Sequence, residues 1–478
     1  MEMTELNRVG EFVFEIPEDY RADMRVPARV IADPDLLEQI KDDLSLQQLV
    51  NVTTLPGIEF YALGMPDIHQ GYGFPVGGVA ATKLPDGVIS PGGIGFDINC
   101  GVRLVRTNVR HEEVEDLIEP LVHEMSRSIP SGYGRKGRLS LARDRLDGVL
   151  DHGAEYVVRE LGLGELEDLE FMESLGRLKG ADSVNVSERA KERGSDQLGT
   201  LGGGNHFLEV QVVDEVFDGS AAEALGLEPG EITVLIHSGS RGLGHQVCTD
   251  YLKSFDKAMA DYGIELPDRQ LACAPLSSGP GQKYFRAMCA AANFAFSNRQ
   301  VLMHRVRQAF VQELSERVNP KLELVYDVAH NIAKIEEYGE HKYCVHRKGA
   351  TRAFGPSQPE IPVRYGDVGQ PVFIPGSMGT SSFVLVGTDE SAEVSLNSTC
   401  HGAGRQMSRT AAKKEVAGSE LRRELESRGI VVRCPSNAEL AEEAPRAYKD
   451  VDRVVDVVAN VGIAKRVARL RPIGVLKG

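Results

Sequence analysis

The chain contains no apolar run approaching the roughly 20 residues needed to cross a bilayer, so nothing in it reads as a membrane segment. The opening Met1-Glu-Met-Thr-Glu-Leu6 lacks the basic start and apolar core of a secretory signal, and a cytoplasmic location is the expectation. No C-x-x-C pair occurs. The seven cysteines stand alone at Cys100, Cys248, Cys273, Cys289, Cys344, Cys400 and Cys434, a pattern that argues against a disulfide framework or a zinc knuckle and for reduced thiols. There is no Gly-Lys dipeptide and therefore no Walker A loop. Lys83-Leu-Pro-Asp-Gly87 is one residue too long to be the K-x-D-G lysine motif of nucleotide-transferring ligases, so a covalent nucleotide would need another nucleophile. Positive charge is also short. With 54 basic against 70 acidic residues the net charge is −16, which excludes indiscriminate coating of nucleic acid and requires any RNA contact to use a local basic patch.

What remains is a globular composition, 42% hydrophobic and 26% charged, on a chain of 478 residues that is long enough for a large core. Neither an internal repeat nor a sharp composition break divides it, and its candidate ligands are dispersed from Asp97 to His330, so residues 1–478 read as one catalytic unit. The alternating Phe12–Ile16 suggests a strand, and Asp35–Leu49 a helix. From about 112 to 192 the pattern is helical and charged, interrupted by Gly132-Tyr-Gly-Arg-Lys-Gly-Arg138, whose cations read as solvated surface, with phosphate contact the alternative. Beyond Gly194, strands are expected at 207–213, 232–236, 322–326, 372–374 and 383–386, around a helical insertion at about 284–318. The tail from Ser419 reads as helix, short strand at 430–433, helix and a basic close through Lys465, Arg466, Arg469, Arg471 and Lys477.

Chemistry gathers first in Pro91-Gly-Gly-Ile-Gly-Phe-Asp-Ile-Asn-Cys-Gly-Val-Arg103, where glycine lets a tight turn aim Asp97 and Cys100 at one point. Three imidazoles, His206, His237 and His330, each lie in or just beyond an expected strand. A thiolate, a carboxylate and neutral imidazoles suit Zn, Mn, Fe or Co without choosing among them. Single ligands so widely dispersed describe an assembled active site rather than a structural zinc knuckle. Asp67 and His69 would share a strand face and stand as supports for the metal loop, or as a hydrogen-bonded turn without chemistry. His401, in Cys400-His-Gly-Ala-Gly-Arg405, has small residues on its C-terminal side that leave room for a phosphate, and neutral imidazole is a competent nucleophile. Arg241, Arg405 and Arg409 flank these motifs as candidate forks for RNA phosphates. Arg347, Lys348 and Arg352 read as a solvated face, with extension of that patch the alternative.

Taken together these motifs resemble the RtcB family of GTP-dependent RNA ligases, over essentially the whole chain and most specifically at 64–104, 202–209, 237–245, 327–331 and 375–405. The resemblance implies an α+β fold with a mixed β-sheet core, active-site loops at strand ends, surrounding helices and a helical insertion. It implies two Mn2+ ions, other divalent ions being possible, bridged by Cys100 and completed by Asp97, His206, His237 and His330. His401 would be guanylylated by GTP. The nucleotide pocket would comprise Asn205, His206, Phe207, Leu208, Glu209, His330, Asn331, Pro375, Gly376, Ser377, Met378, Ser382, His401, Gly402, Ala403 and Gly404, with Tyr448 stacking on the base and Lys477 on the guanine edge. The implied reaction joins an RNA 3′-phosphate or 2′,3′-cyclic phosphate to a 5′-hydroxyl, in tRNA splicing or RNA repair, by a monomer with archease as a possible activator. The alternative is a metal-dependent phosphodiesterase or nuclease that uses no nucleotide.

Overall fold

The computed structural model describes residues 6–478; the first five, part of the N-terminus read above, lie outside. Two large sheets form the α+β framework. One has seven strands in the order Asn7–Arg8, Val13–Ile16, Ala28–Ile31, Ile58–His69, Val76–Lys83, His341–Lys348, Asn331–Tyr338. The other has eight, in the order Leu322–Ala329, Gly101–Arg110, Glu231–Ser238, Phe207–Val216, Ala464–Lys477, Ser382–Gly387, Pro371–Ile374, with Val431–Arg433 added parallel to Ala464–Lys477. The first and last strands of this path come into contact, so the sheet curls nearly into a barrel. Its antiparallel neighbours bring alternate starts and ends of strands to one edge. Gly101 pairs with both Ala329 and Ser238, and Phe207 pairs with both His237 and Lys477. The chain passes from the second sheet to the first at His330, between Ala329 and Asn331.

The insertion is a helix of 36 residues, Gly279–Leu314, opened by Ser278, whose side chain accepts from Gly281 N. Most of its circumference is covered; Phe294, Phe296 and Phe310 are fully enclosed, each such burial worth about 1.5–3 kcal/mol. Two expectations need correction, and one helix is an addition. The helix expected at 35–49 is two helices, Pro34–Ile40 and Ser45–Val52, separated by a turn in which the Asp43 side chain accepts from Ser45 N. The helix Arg241–Asp261 has no counterpart in the sequence reading. The basic close is the strand Ala464–Lys477, held between Phe207–Val216 and Ser382–Gly387. Among the described residues no helix is long and apolar enough to cross a membrane.

Candidate active site

The shared strand edge carries the metal-type ligands. Cys100 Sγ lies 3.3 Å from both His206 Nε2 and His237 Nε2, His237 Nε2 is 3.3 Å from His330 Nε2, and His206 Nε2 is 2.8 Å from Asp97 Oδ2. These atoms form two groups, Cys100–His237–His330 and Asp97–Cys100–His206, each with its ligand atoms within 4.8 Å of one another. Cys100 belongs to both. Burial, then the neighbouring imidazoles His206 and His401, holds His237 well below the usual histidine range, so the ring is neutral and has one nitrogen lone pair to offer a cation. Burial and the Asp97 carboxylate push the Cys100 thiol up, against the opposing charges of Arg299 and Arg241; a bound cation would displace its proton. For Asp97, burial is outweighed by His206 and Arg241, and the carboxyl lies below its ordinary range. Buried imidazoles held below the usual histidine range, a buried thiol common to both groups and an ionised carboxylate fit a pair of divalent cations.

Backbone and buried charge fix this geometry. Asn99 adopts φ 54° and its N–H donates to Asn331 O at 2.7 Å, while Asn331 Nδ2 donates to Asp97 O at 3.1 Å. A Cβ at Gly239 would stand 2.4 Å from the Asp97 carboxylate, so only glycine fits there. Arg299, fully buried on the long helix, pairs with Asp327 and donates from one nitrogen to Asn99 O at 2.8 Å and Ser238 O at 2.9 Å. One guanidinium thereby joins the residue before Cys100, the residue after His237 and the strand leading to His330.

His401 faces the same cavity, its ring 4.8 Å from that of His330. Asp67 Oδ2 accepts from His401 Nδ1 at 2.6 Å and from His401 N at 3.1 Å, and Nε2 makes no hydrogen bond among the described residues. A carboxylate on Nδ1 selects the tautomer whose Nε2 lone pair is free. Asp67 therefore serves the histidine, not the metal loop as the sequence suggested; His69 Nδ1 donates back to Asp67 O in the hydrogen-bonded turn that was the other reading. A Cβ at Gly404 would lie 2.2 Å from Asp67 O, which explains a glycine at φ 77° beside this pair.

The cavity, about 420 Å³, is lined by most of the predicted nucleotide residues: Asn205, Phe207, His330, Asn331, Pro375–Met378, His401–Gly404, Tyr448 and Lys477. Glu209 and Ser382 are buried nearby, both bonded to Gln211 Nε2, at 2.8 and 3.1 Å. Leu208 differs: strand alternation turns its side chain into the hydrophobic core with Val210 and Ile236. Lys477 is no frayed terminus, since Nζ donates to His206 O at 3.1 Å and stands 5.6 Å from the Phe207 ring centre. Burial pushes Glu209 up to about 8, against Gln211 and Lys477.

The predicted arginines all have partners within the protein, although Arg409 stays exposed. Arg241, at φ 55°, bonds His206 Nδ1 at 2.9 Å, and Arg405 and Arg409 both pair with buried Glu443, at 3.1 and 2.9 Å. Glu443 also accepts from Tyr448 Oη and so organises three predicted residues, yet it sits in an Ala-Glu-Glu-Ala stretch that gives no signal in sequence. The solvated face expected at 347–352 is a correction: all three residues are buried. Arg347 forms a bidentate pair with Glu336, and Arg352 pairs with Glu360 at 2.8 Å. Lys348 enters the cavity wall, its Nζ held by Gly92 O at 3.1 Å and Tyr72 O, and burial lowers it to about 7. The 132–138 loop is solvent-exposed at Tyr133, Arg135, Lys136 and Arg138.

A family model described as tRNA-splicing ligase RtcB matches residues 48–478. The chain belongs to the RtcB family. It is 54% identical to the tRNA-splicing ligase RtcB of Archaeoglobus fulgidus, over 99% of each chain, and 53% identical to that of Thermococcus kodakarensis, over the whole of both. The RNA-splicing ligase RtcB of Mycobacterium tuberculosis is 49% identical, over 90% of this chain and all of that one. This RtcB-family chain is an enzyme, a ligase, with a cysteine- and histidine-lined cluster suited to divalent metal at its centre.

Proposed function

We propose that the enzyme joins RNA 3′-phosphate or 2′,3′-cyclic phosphate ends to 5′-hydroxyl ends, with GTP as co-substrate and two Mn2+ ions held by Asp97, Cys100, His206, His237 and His330. The observation that carries this reading is His401, whose Nδ1 is fixed by Asp67 at 2.6 Å and whose ring lies 4.8 Å from a residue of the ligand cluster. Bound cations supply charge neutralisation to phosphate oxygens. Water first opens a cyclic phosphate to the 3′-phosphate. His401 Nε2 attacks the α-phosphorus of GTP, forming the N–P bond as the bond to pyrophosphate breaks, and Asp67 holds the Nδ1 proton throughout. The RNA 3′-phosphate oxygen then takes the guanylyl group from the imidazole. The 5′-hydroxyl attacks the 3′-phosphorus, loses its proton and expels GMP, leaving a phosphodiester.

The guanosine would lie against Phe207, Pro375–Met378 and Tyr448, with Glu209 and Lys477 at its base edge; Leu208 would contribute only backbone. Arg241, Arg405 and Arg409 would meet RNA phosphates by exchanging their present partners. Because both sheets and the loops at 401–404 build one pocket, residues 1–478 act as a single catalytic domain. Like its relatives named for splicing, the enzyme would act on tRNA halves or broken RNA in the cytoplasm, as a monomer open to an archease activator. The test supplies RNA bearing 3′-phosphate and 5′-hydroxyl ends and withholds GTP and manganese separately. Joined product only when both are present is expected. Joining without GTP, or cleavage alone, would overturn the proposal in favour of a nucleotide-independent phosphodiesterase.

A further inference from the structure

Three aromatic rings from separate segments meet beside the metal-type cluster and are used by none of the steps above. Phe96, adjacent in the chain to Asp97, stacks on His245 with ring centres 4.9 Å apart and planes at 27°. Tyr72 meets Phe96 edge-on at 5.2 Å. Phe96 lines the cavity with Gln70 and Lys348, whose ammonium is bonded to Tyr72 O. Tyr72 and Phe96 are only partly buried, and His245, in the second turn of Arg241–Asp261, is exposed. An apolar ring left open at the rim of a phosphate-handling cavity has the shape and polarity to take a flat π-face, and aromatic stacking is how single-stranded RNA ends are held without sequence readout. Positive charge stands beside it in Arg193, an exposed residue of the neighbouring helix Glu188–Gly194 that donates to Gln246 Oε1 at 3.0 Å. In a chain of net charge −16, such local placement is what an RNA contact requires.

We propose that Tyr72, Phe96 and His245 form a stacking platform for the terminal nucleobase of an RNA end delivered to the metal cluster. The proposal rests on the RNA-joining reading. It leaves two sources for the base, the 3′-phosphate strand and the 5′-hydroxyl strand, and the experiment separates them.

Fluorescence anisotropy in manganese measures binding of short single strands of each kind, either intact or with an abasic residue at the terminal position. Wild type, Phe96→Leu, which keeps apolar bulk but removes the ring, and His245→Ala, an exposed site tolerant of truncation, are compared. For the strand that uses the platform, each variant should lose roughly ten-fold in affinity for intact RNA, and wild type should lose as much when the terminal base is removed. Abasic RNA should be bound equally by wild type and variants. Equal binding of intact RNA by all three proteins, or variant losses that persist undiminished with abasic RNA, would overturn the platform. Adduct formation from α-labelled GTP by the wild type is followed alongside. Its absence would sink the guanylylation reading while leaving the stacking result to stand or fall on the binding data.

Discussion

Replacing Arg299 by methionine removes one charge from the core and unties three segments at once. The side chain is fully buried; it makes 2.7 and 2.9 Å bonds to the two oxygens of Asp327 and donates at 2.8 and 2.9 Å to Asn99 O and Ser238 O. Asp327 would keep Arg103, whose Nε donates to it at 2.7 Å, so the carboxylate is not wholly orphaned. The two carbonyls lose their guanidinium donor, and a buried carbonyl left without a donor costs about 1–3 kcal/mol. With the lost ion pair the variant should unfold with about 3–5 kcal/mol less free energy than wild type, measured in urea with a chelator present so that no cation contributes. The same substitution loosens the backbone next to Cys100 and His237, and loss of such outer support lowers metal affinity roughly 10–100-fold, read by equilibrium dialysis. Arg299→Lys keeps the charge but cannot span three acceptors, and should fall between the two. Metal binding by Arg299→Met within two-fold of wild type would refute the idea that this guanidinium positions the ligands.

Asp67→Asn should slow formation of the GTP adduct roughly 100-fold or more, since the amide no longer stabilises the charged imidazole or its tautomer, with GTP and metal affinity little changed; an unaltered single-turnover rate would count against it. Glu209 supplies a pH test. Its folded value, about 8, lies above the ordinary 4.5, so the native state keeps a proton that the unfolded chain releases. Its stability contribution therefore declines as pH rises from about 4.5 through 8. Glu209→Gln should match wild type in denaturant midpoint at pH 4 and exceed it at pH 9, while losing preference for GTP over ATP; a wild-type advantage at pH 9 would contradict the sign. Chelation should abolish ligation and lower the melting temperature, and added manganese should restore both; unaffected melting would mean that no cation is bound in the native state.

The ligand cluster was legible because Asp97, Cys100, His206, His237 and His330 are chemically distinctive residues set in glycine-dense turns at strand ends, and strand pairing then brings those ends together. What escaped was non-local. The Arg241–Asp261 helix begins in His237-Ser-Gly-Ser-Arg-Gly-Leu-Gly244, whose glycines and serines signal a loop, and its packing against the helices Glu188–Gly194 and Gly279–Leu314 is not visible in the local sequence. Arg347 and Arg352 look solvated until Glu336 and Glu360 are folded against them. The C-terminal cations hid a strand, because its partner Phe207–Val216 lies more than two hundred residues earlier; the same pairing carries Lys477 to the cavity. Asp67 was read beside the wrong group for a similar reason, since its partner His401 is 334 positions away.

The account stands most directly on the nucleophile. Purified wild type and His401→Ala, each incubated with manganese and GTP labelled at the α-phosphate, are separated under denaturing alkaline conditions and counted. Wild type should carry an acid-labile label on one histidine-bearing peptide, and His401→Ala should carry none while still binding metal. Label retained by His401→Ala at the wild-type level would contradict the central claim.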